Sequence, residues 1–228
     1  MDPYNVEFKK QIGEYLTNKG LISNKSKQLW LDDNNFFFTV IEISPCKFGG
    51  VYINMGINFL WYNELYIAYN YYEENGSRIY IDNVTNLVVG NYDTKLVVEH
   101  PEKMKLITDE LSNLLEIYKK YRDLNLLKKA LINRRDLFYY NNRNNCNSVD
   151  IELAVVYYLL SDFERSNFII NNYRPNRLYP PLTEIENPAA NKVLDYTGIE
   201  DRIKTRRSAM KKQFPKIDTN KEHFFGNL

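Results

Sequence analysis

The stretch GGVYINMGINFLW, residues 49–61, contains a double glycine followed by a run in which apolar and polar residues alternate. Alternation with a period of two is typical of a β-strand with one face toward a core. We therefore predict a strand over residues 51–59. Its core face consists of Val51, Ile53, Met55 and Ile57, and its second face of Tyr52, Asn54, Gly56 and Asn58. Because Gly56 has no side chain, a segment of this chain or of a partner could approach that second face closely.

The segments on either side predict the rest of an antiparallel sheet. Residues 28–31 and 36–44 are rich in β-forming residues and flank the polar turn DDNN. The strand at 51–59 follows a break at Pro45 and pairs most simply antiparallel to 36–44. The run SRIYID, residues 77–82, alternates again and predicts a fourth strand. Two short apolar runs, NLVVG at 86–90 and KLVVEH at 95–100, are interpreted as further strands.

Apolar residues at helical spacing occur before and after this sheet. An opening helix is predicted over residues 5–19, with Gly20 as its C-terminal stop. A second apolar stripe, from Met104 to Tyr121, predicts a long helix after Pro101. The stripe extends to Ile132, either as one helix or as two helices with a break near Asp123.

The last third of the chain predicts shorter helices. The polar run NNRNNCN at 141–147 is typical of a loop, and Ser148 suits the N-cap of a helix that ends near residue 160. Another helix is expected after Ser161, and a final one over about residues 199–212.

This order of elements predicts an α+β protein. An N-terminal helix and an antiparallel sheet of about four to six strands are followed by a helical C-terminal half. We assign residues 1–100 to the sheet region and 101–228 to a helical region packed on it, as two domains or one continuous domain.

Five segments carry a resemblance to a known family. They are FKKQIGEYLTNKGL at 8–21, QLWLDDNNFFFTVIEIS at 28–44, VYINMGI at 51–57, SRIYI at 77–81 and MKLITDELSNLLEIYKKY at 104–121. In content and order they resemble a bacterial family catalogued as domain of unknown function number 4304, over roughly residues 5–131. The resemblance implies an opening helix, a hairpin and a long strand with an I-N-x-G-I type core. It implies no activity, because a fold does not by itself supply a function.

Composition and charge exclude several classes of protein. Thirty Lys plus Arg against 29 Asp plus Glu leave a formal charge of +1, so no global field favours nucleic acid or an anionic membrane. Cys46 and Cys146 stand in unrelated contexts and are expected to be reduced thiols. The opening residues MDPYNVEFKKQIGEYL lack a basic n-region and an apolar h-region, and no apolar run approaches the ~20 residues that span a bilayer. The sequence therefore predicts a cytosolic protein without a membrane partner.

Motifs for catalysis or metal binding are not found in the sequence. His100 and His223 are the only histidines, and their neighbours Glu99 and Glu222 are adjacent in the chain, which points those carboxylates elsewhere. The chain has no G-x-S-x-G, no phosphate-binding G-x-x-x-x-G-K-[ST] and no G-x-G-x-x-G. We therefore predict no catalytic residue, no metal and no cofactor, and interpret the protein as a non-enzyme.

Aromatic residues with polar tips are concentrated after the long strand, in WYNELYIAYNYYEENG at 61–76. Such side chains are enriched at protein interfaces, although they could instead cover the second face of the sheet under the C-terminal helices. The predicted partner-binding residues are Glu42, Tyr52, Asn54, Trp61, Tyr62, Arg78 and Tyr80.

These features favour a non-enzymatic cytosolic bacterial protein that binds another protein, such as a toxin, in the manner of an immunity protein or antitoxin. The alternative is a divergent nuclease or nucleotide-processing enzyme in which Glu42, Arg78 and Tyr80 converge on the sheet face. A third interpretation uses the basic run RIKTRRSAMKK at 202–212, where Arg202, Arg206 and Arg207 could contact phosphates. A solvated surface helix, with Glu200 and Asp201 at its start, is the favoured explanation of that run, so nucleic acid is not the expected partner.

Overall fold

A computed structural model describes residues 2–45, 51–61, 77–79, 94–140, 147–171, 198–221 and 225. The strands in these ranges are β1 (Ile22–Ser23), β2 (Leu29–Asp33), β3 (Phe37–Pro45), β4 (Val51–Phe59) and β5 (Ser77–Ile79). The helices are α1 (Pro3–Asn18), α2 (Thr94–Glu99), α3 (Pro101–Lys120), α4 (Leu124–Tyr140), α5 (Asn147–Leu159), α6 (Phe163–Asn171) and α7 (Ile199–Met210). The predicted α+β class, with an opening helix, an antiparallel sheet and then helices, is confirmed.

The five strands form one antiparallel sheet in the order β1-β2-β3-β4-β5. The predicted hairpin of β2 and β3 and the antiparallel pairing of β3 with β4 are confirmed, with Ile41 opposite Met55 and Phe37 opposite Phe59. The fourth predicted strand is present as β5 at 77–79, and residues 80–82 lie outside the described ranges. The two-residue strand β1 was not predicted, because two residues are too few for a period to be recognised.

Helix α1 begins at Pro3, two residues before the predicted start, and ends at the predicted stop. The Asp2 side chain accepts a hydrogen bond from the Tyr4 backbone N–H at 2.9 Å, and Pro3 occupies the first turn, where its missing N–H costs nothing. At the other end Gly20 has φ +86° and donates to the Thr17 carbonyl at 2.9 Å. This left-handed conformation suits glycine and confirms the predicted helix stop.

The first face of the sheet packs under α1. Val51, Ile53, Met55 and Ile57 are all buried, which confirms the predicted core face. Trp30 pairs with Ile41 and so shares their side of the sheet. Gly13 of α1 lies against Trp30, which places the helix over this face.

The second face is covered at one end by α7. Arg206 Nη2 donates to Asn58 Oδ1 at 2.9 Å, and the Arg207 guanidinium lies 5.1 Å from the centroid of the Phe38 ring. Phe38 and Asn58 are opposite each other in the β3–β4 ladder, and Gly56 of the same strand face is also buried. A C-terminal helix therefore covers this part of the sheet.

Two local predictions are corrected. The run at 95–100 is not a strand but the helix α2, in which Thr94 and Val97 are buried while exposed Lys95 and Glu99 pair at 4.0 Å with the i,i+4 spacing of a helix. A run of three apolar residues, Leu96 to Val98, is too short to distinguish the helical period from the strand period. Helix α5 begins at Asn147, so Ser148 lies inside it and is not the N-cap.

The break near Asp123 that the sequence left open is present, since α3 ends at Lys120 and α4 begins at Leu124. The predicted strand at 86–90, the loop residues 141–146 and both cysteines lie outside the described ranges. Among the helices that the structure describes, none combines the length and apolar character required to cross a bilayer.

Candidate functional site: a groove beside the first helix

A groove with a volume of 690 Å³ runs between α1 and the turn that joins β1 to β2. Its wall on α1 is a single stripe, because the lining positions recur every three or four residues. The turn supplies the opposite wall with Ser26, Lys27 and Gln28, and Trp30 of β2 also lines it. The residues of the stripe are Val6, Lys9, Lys10, Gly13, Glu14 and Thr17, with Asn18 at the end of the helix.

Gly13 and Trp30 set how closely α1 approaches β2. Trp30 is only 1% exposed, and a Cβ atom built on Gly13 would lie 3.0 Å from its Cζ2 atom. A glycine inside a helix costs roughly 0.5–1 kcal/mol relative to alanine. Here the missing side chain allows the helix backbone to lie against the indole ring, and both residues line the groove.

Asn24 holds the opposite wall in place. Its buried side chain accepts hydrogen bonds at Oδ1 from the backbone N–H groups of Gln28 and Leu29, at 3.0 and 3.2 Å. Its Nδ2 atom donates to Ser26 Oγ at 2.9 Å. Lys27, at the tip, has φ 51° and donates its backbone N–H to the Asn24 carbonyl at 3.1 Å. These contacts define the conformation of the turn and therefore the direction of its side chains.

The far side of α1 is anchored to the helices that follow the sheet. Tyr15 donates its hydroxyl hydrogen to the Thr108 carbonyl of α3 at 2.8 Å, and Thr94 of α2 donates to Asn5 Oδ1 at 2.5 Å. Phe8, Ile12 and Leu16 are fully buried on the same helix. Contacts within the chain therefore hold both walls of the groove in place.

Positive charge dominates the groove. Three lysines, Lys9, Lys10 and Lys27, line it against one carboxylate, Glu14. Lys10 lies 3.8 Å from Glu7, and both side chains are exposed, so this ion pair is weak. Within the ranges that the structure describes, Lys9 and Lys27 form no ion pair. Val6, 48% exposed, adds an apolar contact surface at one end.

The strand residues that the sequence singled out lie elsewhere, on the second face of the sheet. Glu42 of β3, Asn54 of β4 and Arg78 of β5 occupy one row of the ladder. Asn54 Nδ2 donates to Glu42 Oε2 at 3.1 Å and to Ser44 Oγ at 3.2 Å, and all three side chains are half-buried. The structure thus brings Glu42 and Asn54 into contact and places the backbone of Arg78 beside them.

The other predicted strand-face residues have different outcomes. Tyr52 is opposite Ser44 in the ladder, and Tyr62 and Tyr80 lie outside the described ranges, so the convergence of Glu42, Arg78 and Tyr80 stays a prediction. In the described part of the chain, no group of three His, Cys, Asp or Glu side chains is arranged to hold a metal ion.

Trp61 is a correction to the predicted interface. It is 1% exposed and stacks on Phe59 and Phe36, with ring centroids 4.5 and 5.5 Å apart. Phe36 also stacks on Phe225 at 5.5 Å. The indole ring belongs to an aromatic cluster at the end of β4, so it does not face a partner.

The arginines of α7 are a second correction. Arg207 is 0% exposed and binds Asp33 through both terminal nitrogens, at 2.7 and 2.8 Å. Arg206 is buried and donates to the Phe59 carbonyl at 2.8 Å as well as to Asn58. Arg202 is half-buried. The guanidinium groups of Arg206 and Arg207 bind residues of the sheet and of the β2–β3 turn, so they are not exposed to a phosphate backbone. The side of the helix that carries them is buried, which also differs from a solvated surface helix.

Comparisons of the chain with protein-family models, with curated proteins and with solved structures find no match. The resemblance to the family of domain number 4304 stays a prediction.

Sequence reasoning missed the groove. Its signal was present in α1, where Gly13 interrupts a helix in the middle of a stripe that contains Lys9, Lys10 and Thr17. A glycine in a helix interior indicates close approach by another element. The partner element, with Lys27 and Trp30, could not be identified until the position of the β1–β2 turn was known.

Proposed function

We propose that the protein acts in the cytosol by binding another protein, as an immunity protein or antitoxin binds a toxin, and that the partner docks in the groove beside α1. The observation that carries the proposal is a groove with two anchored walls that is lined by Lys9 and Lys27, neither of which is ion-paired to a residue in the described part of the chain. Its volume of 690 Å³ is in the range of sites that enclose a ligand or a short peptide segment.

The groove is held in shape by contacts within the chain, and this preorganisation supports it as the docking site. Binding to a flexible surface loses free energy in ordering side chains and loops. The walls of the groove are already ordered by Tyr15 on one side and Asn24 on the other. A partner segment would therefore gain its contacts without first having to build the site.

The test fills the groove without changing its charge. Thr17 is exposed and lines the groove, so Thr17→Trp should block it. Asn113→Trp, on an exposed position of α3, is the matched control. We expect a pull-down from native lysate to retain a stoichiometric protein with the wild type and the control, and to lose it with Thr17→Trp.

Two results would contradict the proposal. Retention of the same protein by Thr17→Trp would show that the partner docks elsewhere. If no protein is retained at stoichiometric level by the wild type, protein binding itself is the wrong function.

A further inference from the structure

We infer that the segment that fills the groove is an extended, acidic stretch of a partner protein, with carboxylates spaced by small or apolar residues. This inference rests on the proposed function and specifies the chemistry of the partner.

Charge complementarity is the first argument. Lys9 and Lys10 lie on one wall and Lys27 on the other, so cations approach a bound segment from both sides. Lys9 and Lys27 form no ion pair with any residue that the structure describes, and their ammonium groups are therefore available to carboxylates. Positive potential in a concave surface also raises the rate at which an acidic partner associates.

The dimensions favour a short extended segment. The stripe from Val6 to Thr17 extends about 17 Å along the helix axis, at 1.5 Å per residue. An extended chain advances roughly 3.3 Å per residue, so about five residues fill this length. Such a segment places alternate side chains on one side, and the long, flexible lysine side chains of both walls can reach carboxylates there while the residues between them point the other way.

The distribution of charge separates an acidic peptide from a nucleic acid. Glu14 lies inside the groove and Glu7 beside Lys10, so negative side chains interrupt the row of lysines. A nucleic acid backbone has a charge on every residue and meets these carboxylates wherever it lies. A peptide can place a neutral residue opposite Glu14. The groove therefore fits a segment in which acidic and neutral residues alternate better than a uniform polyanion.

The test measures fluorescence anisotropy of labelled hexapeptides with the full chain. The acidic probe is Glu-Ala-Glu-Leu-Glu-Ala, and the controls replace each Glu by Gln or by Lys. We expect the acidic probe to bind more tightly than both controls and to dissociate as salt is added. Lys9→Gln with Lys27→Gln should weaken its binding by about tenfold, which is within the range for the loss of two exposed ion pairs.

Two further variants make the result specific. Lys129→Gln with Lys216→Gln removes two exposed lysines outside the groove and should leave binding of the acidic probe unchanged. Glu14→Gln removes the carboxylate in the groove and should strengthen it severalfold. A gain of affinity cannot come from damage to the fold.

The inference is overturned if the acidic probe does not bind, if the Gln probe binds equally well, or if the Lys9/Lys27 variant binds as the wild type does. Tighter binding of an oligothymidylate of equal length, lost in the same variant, would assign the groove to nucleic acid instead. A third outcome separates the two proposals. If the wild type retains a lysate protein that Thr17→Trp loses, but does not bind the acidic probe, then the inference of an acidic segment is wrong and the proposed function stands.

Discussion

Gly13 is the residue on which the seating of α1 depends. Alanine there would favour the helix by about 0.5–1 kcal/mol. Its Cβ would, however, lie 3.0 Å from Cζ2 of Trp30, a buried ring that cannot move into solvent. Overpacking of a core typically costs about 1–3 kcal/mol. We therefore expect Gly13→Ala to lower the free energy of unfolding by about 1 kcal/mol in urea titrations.

The neighbouring position provides the control for that measurement. Glu14 is exposed, so Glu14→Ala adds helix propensity without a new contact and should change the stability by less than about 0.5 kcal/mol. If Gly13→Ala were as stable as Glu14→Ala, the contact with Trp30 would not limit the position of the helix.

Residues that pack within one strand could be predicted, whereas residues with distant partners could not. The core face of β4 follows from alternation alone, because burial of Ile53 and Met55 requires only a period of two. The burial of Arg207 depends on Asp33, which is 174 positions away in the chain. No local pattern contains that information, so the basic run at 202–212 was interpreted as exposed.

At the scale of elements, the β1–β2 turn depends on Asn24. Asn24→Ala removes the acceptor for two backbone N–H groups, those of Gln28 and Leu29. A partly buried donor left without a partner costs roughly 1–3 kcal/mol. We expect a loss of stability in that range and faster amide hydrogen exchange at residues 28 and 29.

Asn24→Asp and Ser26→Ala test whether the carbonyl or the amino group of the Asn24 side chain stabilises the turn. Aspartate keeps the acceptor and loses the donor to Ser26, while Ser26→Ala removes only the partner of that donor. Both variants should lose less free energy of unfolding than Asn24→Ala does. Equal losses for all three variants would show that the two backbone hydrogen bonds do not determine the conformation of the turn.

Elements with strong periodicity and recognisable end signals were predictable, and short ones were not. Helix α1 has an N-cap, a proline and a terminal glycine in agreement with its period. Helix α2 has only six residues, so its apolar run suited a strand equally well. Its packing against α1, which includes the hydrogen bond from Thr94 to Asn5, is not visible in the local sequence. The groove depends on the position of α1 relative to the β1–β2 turn. Neither the helical period nor the strand period of the sequence contains that information.

At the scale of the whole molecule, three distant segments meet at the turn between β2 and β3. Arg122, after α3, donates to Asn34 Oδ1 at 2.7 Å and to the Asp33 carbonyl at 3.2 Å. Arg207 of α7 binds the Asp33 carboxylate and also donates to the Asn35 carbonyl. Lys221 of the C-terminal segment lies 3.1 Å from Asp33 Oδ1. The turn therefore ties the helical half of the chain to the sheet.

The ionisation of Asp33 links this junction to pH. Burial alone raises the pKa of the Asp33 carboxyl, but the hydrogen bonds and charge of Arg207, together with the charge of Lys221, outweigh it and hold the pKa below its ordinary value. A carboxyl with a lower pKa in the folded state stabilises the protein above the unfolded-state pKa of about 3.9. This stabilisation is lost as the pH falls through the folded-state value.

Asp33→Asn should therefore be strongly destabilising at neutral pH and less so in acid. It leaves Arg207 buried without its carboxylate, which typically costs about 3 kcal/mol or more. In urea titrations at several pH values, the gap between wild type and variant should narrow below about pH 4, because protonation removes the same charge from the wild type. Asp109→Asn, which breaks an exposed pair with Lys105 at 3.5 Å, should cost less than about 1 kcal/mol throughout. A gap that stays constant from neutral to acidic pH would mean that the carboxylate charge does not hold the junction together.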